Sequence, residues 1–102
     1  MDVQFAPSTD PRVRVFAARQ VLAAFSGFEH LVASAHVHVR QGVGSECLCR
    51  LHLTLRPGGA FSVDVSAPRM HESVERAVEQ AWGVLYAESA RACEALGGPV
   101  AA

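Results

Sequence analysis

The sequence predicts an α+β fold of order β-α-β-β-β-α, a two-layer sandwich whose four-stranded mixed sheet carries both helices on one face. Three observations lead there. Residues 31–66 read as three strictly alternating strands joined by two Gly-marked turns. An amphipathic stretch flanks them on each side, over residues 11–26 and from Met70 onward. A short alternating segment, Met1–Phe5, opens the chain.

In the three-strand run, Ala33, Ala35, Val37 and Val39 interleave with Ser34, His36, His38 and Arg40. Cys47, Cys49, Leu51, Leu53 and Leu55 interleave with Leu48, Arg50, His52, Thr54 and Arg56, and Phe61, Val63 and Val65 with Ser62, Asp64 and Ser66. Successive side chains of a strand point to opposite faces, so the sheet has one apolar and one polar face. The opening segment, with Val3 and Phe5 on one side, is expected as an edge or near-edge strand. A strand–helix–strand start implies a right-handed crossover and a parallel first pair. The tight turns at Gly42-Val43-Gly44 and Pro57-Gly58-Gly59 make the rest antiparallel, with Pro57-Gly58 suggesting a type II turn.

The first helix has its start written into it. Asp10 is a good N-cap, and Pro11 suits the first helical position, where a missing N–H costs nothing. Gly27 is expected to end it. Val13, Ala17, Val21, Ala24 and Phe28 make the inward stripe. Val15 and Leu22 fall elsewhere, beside Arg12 and Arg19, and are expected against the second helix. In that second helix Met70, Val74, Ala77, Val78, Ala81, Leu85 and Ala92 hold the inward stripe. Trp82, Tyr86 and Cys93 form a lateral stripe expected to pack on the first helix. Glu88 returns to the inward stripe, so the helix should outrun the sheet from there. Residues 1–96 are thus read as a single domain and residues 97–102 as a frayed tail.

Composition narrows the function. Half of the 102 residues are hydrophobic and 19% charged, which excludes disorder. The net charge of −1 gives no global attraction to nucleic acid or membrane, so such binding needs a local patch. All nine basic residues are Arg. Three cysteines without CxxC spacing argue against a disulfide framework or a zinc finger. With neither a leader nor an apolar run of membrane-spanning length, the expected location is the cytoplasm. Nucleophile–base spacing and a phosphate-cradling Gly loop are both missing, so no enzymatic activity and no cofactor are expected. His36, His38 and His52 share the outer sheet face with Asp64. Centring the hairpin within Gly42–Gly44 sets His36 opposite Arg50, and a guanidinium amid the cluster disfavours a metal ion.

The element order, the lengths and two stretches resemble the ribosome hibernation-promoting factor family, also called ribosome-associated inhibitor or sigma-54 modulation proteins. The stretches are Leu31–Arg40 and the run FSVDVSAPRMHESVERAVEQA from Phe61 to Ala81, where an alternating strand passes through a short polar link into the last helix. The resemblance covers about Val3–Tyr86 and is to the short form of the family. It implies docking in the mRNA and tRNA channel of the small ribosomal subunit, blocking translation in resting cells. Basic residues of the helix layer would neutralise rRNA phosphates without reading sequence. Arg12, Arg14, Arg19 and Arg69 are the expected contacts. Where the family carries Lys and Arg late in the last helix, this chain has Gln80, Gly83, Ala87 and Ser89. Glu72, Glu75, Glu79, Glu88 and Glu94 outnumber Arg76 and Arg91 there. A second reading therefore stands beside the first: a protein–protein module on the same fold, with Val15, Leu22, Trp82 and Tyr86 as the contact surface for a protein partner or a second copy.

Overall fold

The computed structural model describes the backbone of residues 1–97 and the side chains of residues 1–88. Its elements are β1 (Asp2–Phe5), α1 (Pro11–Phe25), a 3₁₀ turn (Ser26–Phe28), β2 (Val32–Gln41), β3 (Cys47–Leu55), β4 (Ala60–Ala67) and α2 (Met70–Gly97). The sheet order is β1-β2-β3-β4, with β1 parallel to β2 and the other pairs antiparallel. This is the expected mixed sheet, with β1 at one edge.

α1 begins as its sequence dictates. The Asp10 side chain accepts a hydrogen bond from the Arg12 backbone N–H at 2.7 Å, and Pro11 occupies the first turn. Its end differs from expectation: the helix tightens into the 3₁₀ turn, with Gly27 inside that turn instead of terminating α1. The buried stripe is Val13, Ala17, Val21 and Phe25. Phe25 takes the deep position, and Ala24 and Phe28 pack on the margin of the core. In α2, Val74, Ala77, Val78, Ala81 and Leu85 are buried as expected, and Met70 is partly so. Glu88 is exposed, and the helix continues to Gly97. The side chains of Ala92, Cys93 and Glu94, and residues 98–102 of the expected tail, lie outside the described residues.

The core lies between this helix layer and the inner face of the sheet, centred on Val37, Leu51 and Leu53 with Phe25 and Leu85. α1 touches β1 and β2, and α2 lies chiefly over β3 and β4. Cys47 and Cys49 are inward and free. Burial pushes the Cys49 thiol up to about 12, with the negative charge of Asp64 adding to the shift. Three local readings need correction. A register shift between Val32 and Ser34 turns Val32 into the core, fully buried, and leaves Ala33 only half-buried. In the β3–β4 turn the left-handed residue is Gly59, with φ of 95°, and not Gly58, so a type II turn centred on Pro57-Gly58 is not formed. The Leu55 N–H bonds to the Gly59 carbonyl at 2.9 Å and closes that turn.

The third correction concerns the β2–β3 hairpin. The Gly42 N–H bonds to the Glu46 carbonyl at 2.8 Å, and Gly44 takes the left-handed conformation, with φ of 78°. The hairpin therefore centres on Gly44, one residue later than expected, and the cross-strand partners from Ser34 to Gln41 move by two. His36 faces His52, and His38 faces Arg50.

Candidate functional site: the helix layer and the outer sheet face

The four expected phosphate-binding arginines divide into two kinds. Arg12, Arg19 and Arg69 are exposed, and their guanidinium groups make no hydrogen bond or ion pair within the described residues. Arg14 is committed to the scaffold. Its Nε donates to the Thr9 carbonyl at 3.2 Å and its Nη2 to the Pro7 carbonyl at 3.1 Å, which ties α1 to the loop leaving β1. Arg12 and Arg19 are seven residues apart and so lie on one stripe of α1, a stripe that contains no acid.

α2 presents the opposite charge. Glu75 and Glu79 are exposed, and Glu72 is bridged by Arg76 Nη2 at 2.8 Å. Arg76 Nη1 also donates to the Ser66 carbonyl at 3.4 Å, so this cation fastens α2 to the end of β4. Among the described residues, the acidity of α2 expected from the sequence is thus carried on an exposed surface by Glu75 and Glu79.

The apolar candidates do not pack between the helices. Val15 is 55% exposed and Leu22 49%, which overturns their placement against α2. The position that does reach α2 is Phe16, whose ring meets His71 edge-on at 4.3 Å. At about 100° per residue, Val15 and Leu22 lie about a third of a turn from Phe16, on a solvent-exposed side of α1. Trp82 and Tyr86 are 43% and 61% exposed, again contrary to expectation. They stack on each other at 5.3 Å, and Trp82 meets the edge of Phe28 at 6.2 Å. The lateral stripe therefore touches the 3₁₀ turn after α1. Phe28 and His71 as ring partners went unread in the sequence. Their signal is tertiary, because Phe28 sits in the 3₁₀ turn and His71 in the first turn of α2, each distant in the chain from its ring partner.

The outer sheet face is ordered in rows across the strands. Gln4, His36, His52 and Ser62 form one row, and His38, Arg50 and Asp64 the next. Arg50 Nε donates to Asp64 Oδ1 at 2.7 Å, and this bond together with the carboxylate's charge raises the guanidinium pKa. His52 Nδ1 lies 2.6 Å from Ser62 Oγ. A shallow, open depression beside the second row is lined by His38, Arg40, Leu48, Arg50, Asp64 and Ser66. No group of three or more His, Cys, Asp or Glu side chains among the described residues is placed to hold a metal ion. No helix of the described residues is long and apolar enough to cross a membrane.

This arrangement defines a class: an α+β sandwich in which two helices cover one face of a four-stranded mixed sheet and leave the other face open. Solved structures share it. The N-terminal domain of Protein Y from Thermus thermophilus superposes with a TM-score of 0.68 at 15% identity, covering 83% of this chain and 96% of that domain. A ribosomal subunit interface protein from Coxiella burnetii superposes with a TM-score of 0.72 at 11% identity, covering 87% of this chain and 96% of its own. Both are proteins of the hibernation-promoting-factor type, and at these identities the likeness is one of fold. No protein-family model matches the chain, and no curated protein matches it in sequence.

Proposed function

We propose that this protein is a non-catalytic, cytoplasmic ribosome-associated factor of the hibernation type, which inhibits translation by binding the small subunit through rRNA phosphates. The observation that carries this reading is the fold likeness, which spans 96% of the Protein Y N-terminal domain and 96% of a protein named for the ribosomal subunit interface. The charge of α1 supports it. Arg12 and Arg19 offer free guanidinium groups on an acid-free stripe, and Arg69 offers a third at the entry to α2. Guanidinium–phosphate contacts supply sequence-independent affinity that falls steeply with salt. Arg14 has two of its five N–H donors engaged with the Thr9 and Pro7 carbonyls, and the other three remain available to a phosphate.

The test is co-sedimentation of the purified chain with small ribosomal subunits over a series of salt concentrations. Binding at low salt that weakens as salt rises is expected. Absence of co-migration even at low salt refutes the reading.

A second reading has its own observation. The acidic exposed side of α2 and the stacked, solvent-facing Trp82–Tyr86 pair suit a protein partner better than RNA. Affinity capture from stationary-phase lysate, with and without ribonuclease, separates the two. Ribosomal material lost on ribonuclease treatment supports the first reading, and a nuclease-resistant protein partner supports the second.

A further inference from the structure

We propose that His36 and His52 form a two-histidine site for a divalent transition-metal ion, such as Zn²⁺, on the outer face of the sheet. The two are direct cross-strand partners on β2 and β3, and both project to the face away from the helices. Direct partners on one face have Cβ atoms about 4.5–5.5 Å apart. Two imidazoles at that spacing can converge on one ion at the roughly 2.0–2.1 Å of a zinc–nitrogen bond.

One ring is already held as a ligand should be. His52 Nδ1 meets Ser62 Oγ on β4 at 2.6 Å. In the tautomer whose Nδ1–H donates to that hydroxyl, Nε2 keeps the lone pair that an ion needs. Metal-binding imidazoles are oriented in this way by a hydrogen bond on the nitrogen that does not bind the ion.

The nearest cation does not oppose the site. Arg50 stands two residues along β3, in the adjacent row, and is paired with Asp64 at 2.7 Å. His38 belongs to that row, facing Arg50, and is not a ligand. The protein therefore supplies two nitrogens and water completes the shell, a donor set that suits zinc, nickel or copper over calcium or magnesium. The site lies on the layer opposite the arginines of the proposed ribosome contact, so it stands independently of that reading.

The experiment is a Zn²⁺ titration of the purified full chain, followed through the imidazole resonances by NMR. The His36 and His52 rings shift together and saturate at one ion per chain, while His30 and His71 serve as internal controls. His36→Asn and His52→Asn each remove the response. Ser62→Ala, which frees the second ring, weakens binding about tenfold. His38→Asn leaves the affinity unchanged. All four positions lie on the open face of the sheet, so unchanged circular dichroism confirms that each variant folds. His36 and His52 resonances that stay unmoved up to about 1 mM Zn²⁺ overturn the proposal. So does equal affinity after either His→Asn change, or a loss with His38→Asn as large as with His52→Asn.

Discussion

The two helices do the same work on one side and opposite work on the other. Toward the sheet, α1 buries Val13, Ala17, Val21 and Phe25, and α2 buries Val74, Ala77, Val78, Ala81 and Leu85, all small or aliphatic side chains apart from one Phe. Toward solvent, α1 shows Arg12 and Arg19 among apolar neighbours with no acid, while α2 shows Glu75 and Glu79 beside an aromatic stack. The covered sides are constrained alike, because both meet one pleated apolar surface and close packing leaves little freedom there. Packing imposes no such constraint on the outward sides, so their divergence in charge belongs to whatever each helix meets.

Substitutions can probe that contrast. On the covered sides the helices should behave alike. Phe25→Ala on α1 should cost about 3–5 kcal/mol and Leu85→Ala on α2 about 2–5 kcal/mol, read from urea unfolding midpoints at unchanged m. A small loss in one helix only would show that the two do not share a single core. On the outward sides they should part. Reversing Arg12 and Arg19 to Glu should reduce retention on small subunits roughly threefold per lost phosphate contact and flatten the salt dependence by about one unit each. Glu75→Gln with Glu79→Gln should raise retention. Equal responses from the two pairs would remove the electrostatic distinction between the helices.

Smaller effects refine the local structure. Asp10→Ala removes the cap that holds the Arg12 N–H and should cost about 1 kcal/mol, lowering the thermal midpoint. Val15→Ser and Leu22→Ser should each change stability by no more than about 0.5 kcal/mol, because their side chains already meet water. A loss of 2 kcal/mol or more at either position, about what an apolar side chain loses on leaving a core, would mean that α1 is covered on that flank.

Much of the fold was legible because alternation and helical spacing are local properties. Strand order, the parallel first pair, the Asp10–Pro11 helix start and the inward stripe of α2 followed from residues close to one another in the chain. The errors arose where one residue of backbone geometry governs many contacts. Centring the hairpin on Gly44 moved the β2–β3 partners from Ser34 to Gln41 by two and put His36 beside His52 instead of Arg50. The register shift at Val32–Ser34 exchanged Val32 for Ala33 in the core. Helical periodicity showed that Val15, Leu22, Trp82 and Tyr86 lie off the inward stripe, but it could not say whether the neighbouring helix reaches them.

The sequence by itself therefore determined the layers: one apolar sheet face, two helices obliged to cover it, and an outward charge of opposite sign on each. Those follow from side-chain direction, which the backbone period sets locally. Only the tertiary structure decided which outward residues meet. It tied Arg14 to a loop, left Arg12, Arg19 and Arg69 free, set Trp82 against Phe28 beyond the end of α1, and put two histidines side by side across a hairpin. Contacts of that kind depend on register and on the angle between helices, which are fixed by the fit of the whole core and not by any stretch of chain within it.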